Sequence, residues 1–104
     1  MTIQFNADNN LTVHEEFRAK LKENITGKLN RFAEHISRVE VHLSDDNGAK
    51  KGQDDKKCLL EARVEGRTSV VVTASGNNYE LAVAGALDKL RASLDKIFDK
   101  LQNH

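Results

Sequence analysis

Within residues 31–43 the spacing of apolar side chains changes period, and that change dictates what the chain can fold into. Upstream, Phe17, Leu21, Ile25, Leu29, Phe32 and Ile36 recur at three- and four-residue steps, the spacing that lines one face of a helix. Downstream, Val39, Val41 and Leu43 alternate with Glu40, His42 and Ser44, the period of a strand with one dry and one wet face. A helix therefore hands over directly to a half-buried strand, and the fold is mixed.

The remaining elements follow from the same reasoning. Residues 2–7 alternate polar with apolar, and Asp8-Asn9-Asn10 supplies turn chemistry that ends a short first strand. Thr12 with Glu15 fits a capping box, which predicts a first helix over about residues 13–35. Gly27 inside that helix costs about 1 kcal/mol relative to alanine, so either a partner packs closely against it or the helix bends there. Residues 44–57 are polar, contain Gly48 and Gly52, and are long for a hairpin connection, which marks a functional or mobile loop.

Cys58, Leu60, Ala62 and Val64 alternate with Leu59, Glu61, Arg63 and Glu65. Gly66-Arg67 then turns the chain into residues 69–75, so the third and fourth strands form a hairpin. Asn77 with Glu80 fits a second capping box, followed by the stripe Val83, Leu87, Leu90, Leu94, Ile97, Phe98 and Leu101. The sum is an α+β order, β-α-β-β-β-α, with two helices packed on one face of a four-stranded sheet. Gln4, Asn6, Glu40, His42, Glu61 and Arg63 then look out from the open face.

A length of 104 residues without a compositional break predicts one domain over residues 1–104. Sixteen basic and sixteen acidic side chains cancel, which excludes a general polycation, so any nucleic-acid binding must come from a local patch. Neither a leader pattern nor a long apolar run is present, and the expectation is a cytoplasmic protein without a membrane partner.

Catalytic chemistry finds little support in the spacing. Cys58 is unpaired and sits at the start of an alternating strand, as a small core residue does; a reactive thiol would need His35 or His42 beside it. The histidines His14, His35, His42 and His104 show no metal-ligand spacing, and no metal site is predicted. Asp45-Asp46-Asn47-Gly48 lacks the alternate oxygens and closing glutamate of a calcium loop and reads as a solvated turn. No nucleophile elbow, phosphate loop or dinucleotide fingerprint is present, so the reading is a binding protein with no catalytic residue, cofactor or small-molecule substrate.

Basic residues gather in three places: Lys50, Lys51, Lys56 and Lys57 in the long loop; Arg18, Lys20, Lys22, Lys28 and Arg31 on helix one; Lys89, Arg91, Lys96 and Lys100 on helix two. Arg18 shares a helix face with Lys22, and Lys28 with Arg31, while Lys89, Lys96 and Lys100 stand within reach of one another. Side by side, the helices could merge these into one phosphate-contacting ridge. The other reading is a solvated surface stabilised by pairs such as Asp88 with Arg91, at a few tenths of a kcal/mol each.

The junction Arg31-Phe32, His35-Ile36 and Val39-x-Val41-x-Leu43, with Asp88-Lys89-Leu90, Leu94, Lys96, Lys100 and Leu101 in helix two, resembles the ribosome hibernation promoting factor and RaiA (protein Y) family. Val-Glu-Val-His-Leu-Ser-Asp-x-Asn-Gly at residues 39–48 and Cys-Leu-Leu-Glu-Ala-Arg at residues 58–63 are similar to a variant branch of it. The resemblance implies a fold like a double-stranded-RNA-binding domain. It implies binding to the small ribosomal subunit between head and body, on ribosomal RNA in the mRNA and tRNA channel, so that idle ribosomes are silenced under stress.

Carried over by position, Arg31, Lys89, Lys96 and Lys100 are its foremost RNA contacts, with Arg18 next. Lys22, Lys28 and Arg91 complete the candidate set, and Lys50, Lys51, Lys56 and Lys57 are possible loop contacts. The length is like that of short family members, which lack a dimerisation domain; the oligomeric state is not implied. Several features depart from the pattern. Asp95, Ile97, Phe98 and Asp99 dilute the basic end of helix two, the interval from Arg18 to Arg31 is one residue longer, the long loop is extended, and Tyr79 is offset by one. The alternative function is a protein-interaction or stress module that kept the fold but lost ribosome binding.

Overall fold

The computed structural model describes residues 1–7, 15–45 and 56–102, with side chains for residues 1–6, 15–45 and 56–99. Its elements are β1 (Thr2–Ala7), α1 (Glu15–Leu29), a 3₁₀ segment (Asn30–His35), β2 (Ile36–Asp45), β3 (Lys56–Val64), β4 (Val70–Gly76) and α2 (Tyr79–Gln102). The strands form one sheet in the order β1-β2-β3-β4. β1 lies parallel to β2, as a strand–helix–strand crossover requires, and the other pairs are antiparallel. No helix among the described residues is long and apolar enough to cross a membrane.

The two periods predicted from sequence meet in one core. Leu21, Ile25 and Leu29 from α1 and Val83, Leu87, Leu90 and Leu94 from α2 are buried with Ile3, Val39, Val41, Leu43, Cys58, Leu60, Ala62 and Val64 of the sheet. Each large aliphatic side chain removed from water contributes about 1.5–3 kcal/mol. No polar or charged residue is buried among those described. The expected open-face residues Gln4, Asn6, Glu40, His42, Glu61 and Arg63 are exposed or half-buried, in strict alternation with the buried set. Ile97 and Phe98 at the end of the α2 stripe are half-buried, and the Phe98 ring stacks on Phe32 at 5.4 Å and contacts His35 at 4.8 Å.

Two local expectations are corrected. The α-helix ends at Leu29, where φ −104° and ψ 8° leave the helical region, and the chain tightens into the 3₁₀ segment. Ile36, which continues the helical apolar spacing one residue past the expected helix end at residue 35, is extended (φ −109°, ψ 118°) and opens β2. The cap of α2 is Asn78 rather than Asn77: its Oδ1 accepts a 2.8 Å hydrogen bond from the Leu81 N–H, and Glu80, expected to reach back, reaches across to Lys20 instead. The Thr12 cap, the turn at residues 8–10 and the loop at residues 46–55 lie outside the described residues.

Two glycines are dictated by geometry. Gly66 in the β3–β4 turn has φ +73°, where a side chain is strained. At Gly76 a Cβ would stand 2.8 Å from the Leu81 Cβ and 3.0 Å from the Ala82 nitrogen, so the start of α2 can seat on β4 only without one. Gly27 is different: a Cβ there meets nothing within 4 Å, so no close partner explains it.

Gly27→Ala should therefore stabilise the protein by about 1 kcal/mol, raising the thermal midpoint by roughly 4–8 °C. Gly76→Ala should destabilise it by about 1–3 kcal/mol through overpacking. Circular-dichroism melts of the two variants check both signs; a fall for Gly27→Ala would show that the helix needs glycine there for a reason other than propensity.

Candidate nucleic-acid interface

The helical side carries the charges, and their arrangement begins with the seam between α1 and α2. Lys20 Nζ donates to Glu80 Oε1 at 3.2 Å, Lys28 Nζ to Asp88 Oδ1 at 3.4 Å, and Arg31 Nη1 to Asp95 Oδ1 at 3.0 Å. Arg31 Nη2 also lies 3.9 Å from Asp99. The first two pairs share a sequence offset of 60, so the helices run parallel, with the basic side of α1 facing the acidic side of α2. At Arg31 the offset becomes 64, one helical turn further along α2, because the 3₁₀ segment rises faster per residue and the arginine is long.

These partners are largely solvent-exposed, so each pair contributes on the order of 0.2–1 kcal/mol and is screened by salt. The seam sets how the helices align more than it holds them together. It also means that Lys28 and Arg31 are neutralised by Asp88, Asp95 and Asp99 rather than joined into one cationic ridge. Asp88 pairs across the seam, not with Arg91 as the spacing suggested.

Four exposed cations of the two helices, Arg18, Lys22, Arg91 and Lys96, have no ion pair among the described residues. Arg18 and Lys22, one turn apart and exposed, line a groove of about 660 Å³ between α1 and the edge strand β1, together with Ile3, Gln4, Phe5 and Glu15. On α2, Arg91 and Lys96 are exposed and without an ion pair among the described residues. Lys89 is fixed on the opposite margin from the seam, its ammonium donating to the Thr73 carbonyl of β4 at 2.8 Å. The structure thus separates cations paired along the seam from cations that have no ion pair among the described residues.

Lys56 donates to Asp45 Oδ2 at 2.7 Å and lies 5.9 Å from the centre of the Tyr79 ring. Lys57 is half-buried on the open face of the sheet, away from the helices. Lys50 and Lys51 lie outside the described residues, as does the side chain of Lys100. The seam was missed because no motif spaces residues 60 apart; the acids at Asp88, Asp95 and Asp99 on one helical face were the available signal.

The one nucleophile and base considered from sequence do not meet. Cys58 is buried on the helix-facing side of β3, and His42 belongs to the alternating set on the other face of the sheet. His35 lies against Phe98 beyond the far end of β2. Burial pushes the Cys58 thiol from its ordinary 9.0 up to about 12, so it is protonated at neutral pH and is no nucleophile.

Comparison with known proteins adds the following. The family described as sigma 54 modulation protein/S30EA ribosomal protein matches residues 3–102. The fold is similar to the protein Y N-terminal domain of Thermus thermophilus, with a TM-score of 0.72 at 20% identity over 93% of this chain and 99% of that one. It is also similar to a ribosomal subunit interface protein from Coxiella burnetii, with a TM-score of 0.73 at 20% identity over 95% and 99% of the two chains. No curated protein matches.

The Cys58 environment gives a direct test. A thiol reagent at pH 8 should leave the native protein almost unlabelled and react at once when denaturant exposes the residue. Because the folded-state value lies above the unfolded one, this residue's contribution to stability holds below about pH 9 and is lost as pH rises toward 12. Cys58→Ala should flatten that alkaline fall in the melting temperature; rapid native labelling at pH 8 would contradict the burial.

Proposed function

Because this chain belongs to the sigma 54 modulation protein/S30EA ribosomal protein family, we propose that it associates with the ribosome through its helical side and silences idle ribosomes under stress. In this reading it lies on ribosomal RNA of the small subunit, in the channel that mRNA and tRNA would occupy, and acts in the cytoplasm. Inhibition is steric: the folded domain fills the path, and no bond is made or broken. The observation that supports RNA contact is the set of exposed cations, Arg18, Lys22, Arg91 and Lys96, that no acid pairs among the described residues. Lys28, Arg31 and Lys89 are held in place by their present partners, and Lys50, Lys51 and Lys100 complete the proposed contact set from sequence.

The seam gives this reading a specific electrostatic form. An exposed lysine–aspartate pair is weak enough for a phosphate to displace the carboxylate, so Lys28 and Arg31 are reserve contacts, available at the cost of the Asp88 and Asp95 pairs. Binding through the four cations that are unpaired among the described residues gives a dependence of log affinity on log salt with a slope of about −3 to −4.

Cosedimentation of the purified protein with small subunits at several salt concentrations measures that slope. Charge reversal at Arg18 and Lys22, or at Arg91 and Lys96, should each weaken binding and reduce the slope by about 2. Asp88→Asn with Asp95→Asn should strengthen binding and steepen the slope, since it releases Lys28 and leaves Arg31 only the 3.9 Å contact with Asp99. If all three double variants cosediment like the parent protein, the interface is not phosphate-based, and the protein is an interaction module that kept the fold without the RNA site.

A further inference from the structure

The open face of the sheet, which the helical interface does not use, brings together three side chains with metal-ligating chemistry. In the β2–β3 ladder Glu40 stands directly opposite Glu61, and His42 follows Glu40 by two residues on the same face. One carboxylate oxygen from each glutamate and an imidazole nitrogen all lie within 4.8 Å of one another, and all three residues are half-buried. We propose that Glu40, His42 and Glu61 form a binding site for a divalent transition cation of the zinc type, with water completing the coordination.

The geometry carries this in three ways. Ligand atoms about 2.0–2.1 Å from a tetrahedral zinc lie about 3.4 Å apart, so rotation of the two glutamates closes the triangle without moving the backbone. The ligands stand on two neighbouring strands fixed by ladder hydrogen bonds, a rigid support of the kind such sites need. Like charges directly opposed on a sheet are unfavourable, and a cation between Glu40 and Glu61 turns that repulsion into coordination.

The surrounding charges define where the ion sits. Arg38 approaches Glu40 only to 3.9 Å, and Arg38 and Arg63 face each other in the neighbouring row, so the arginines flank the carboxylates from one side. His42 lies on the other side, where a depression of about 430 Å³ lined also by Ser44, Lys57 and Leu59 leaves room for the waters. One imidazole and two carboxylates without a thiolate suit zinc, manganese or iron(II) and not copper(I), since Cys58 lies on the opposite face of the sheet.

Isothermal titration of the metal-free full chain with Zn²⁺, followed by thermal melts and by visible absorption with Co²⁺, tests the site. One saturable ion per chain is expected, with a raised melting midpoint and d–d bands in the cobalt form. His42→Ala and Glu61→Gln should each weaken Zn²⁺ binding by more than about tenfold and remove the midpoint shift, while His35→Ala should change neither. Without metal, Glu61→Gln should melt at or above the parent protein, which separates loss of the site from loss of the fold. Absence of saturable binding below about 1 mM Zn²⁺, or Zn²⁺ binding by His42→Ala and Glu61→Gln as tight as that of the parent protein, overturns the proposal. Neither readout depends on ribosome binding.

Discussion

Burial of one side of β2 under the two helices is the interaction on which the other features depend. Val39, Val41 and Leu43 are almost fully removed from water, and β2 is the strand that connects the parallel pair with β1 to the antiparallel hairpin of β3 and β4. A slip of one residue in its register would turn Glu40 and His42 into the core and Val39 and Val41 to solvent. That penalty fixes β2, and β2 in turn fixes which residues of β1 and β3 share its open face. The helices must then lie side by side on the other face, and their polar margins have to meet along a seam.

The seam explains how a protein of zero formal charge can present both sealed and available cations. Net charge governs the distant field, but beyond a Debye length of about 8–10 Å at physiological salt that field is screened, and local arrangement decides contact. Lys20, Lys28 and Arg31 have acidic partners across the seam, whereas Arg18, Lys22, Arg91 and Lys96 do not have them among the described residues.

How much of this could be read in the sequence depended on the range of the interaction. The alternation of Val39, Val41 and Leu43 and the stripe from Val83 to Leu94 are short-range patterns, and they yielded the element order, the sheet and the core. Errors fell where two local options compete: the apolar spacing past Leu29 fits an α-helix and a 3₁₀ turn alike, and Asn77 and Asn78 are both capping residues. The pairing of Lys28 with Asp88 and the meeting of Glu61 with His42 involve residues far apart in the chain, so no spacing rule reports them. Of the candidate contacts, Arg18 and Lys22 were placed together from their four-residue step alone, which the helix preserved.

The place of β1 in the sheet has a kinetic side. Its register joins Thr2 to Arg38, so this strand, the first of the four along the chain, waits for the crossover helix before it has a partner. The hairpins of β2, β3 and β4 close over shorter distances and pay less entropy to do so. By this reasoning β1 forms late in folding and, as an edge strand without the close packing that β4 has against α2, is expected to detach early in native-state fluctuations. Since β1 forms the floor beneath Arg18 and Lys22, that groove inherits the lifetime of the sheet's least anchored member.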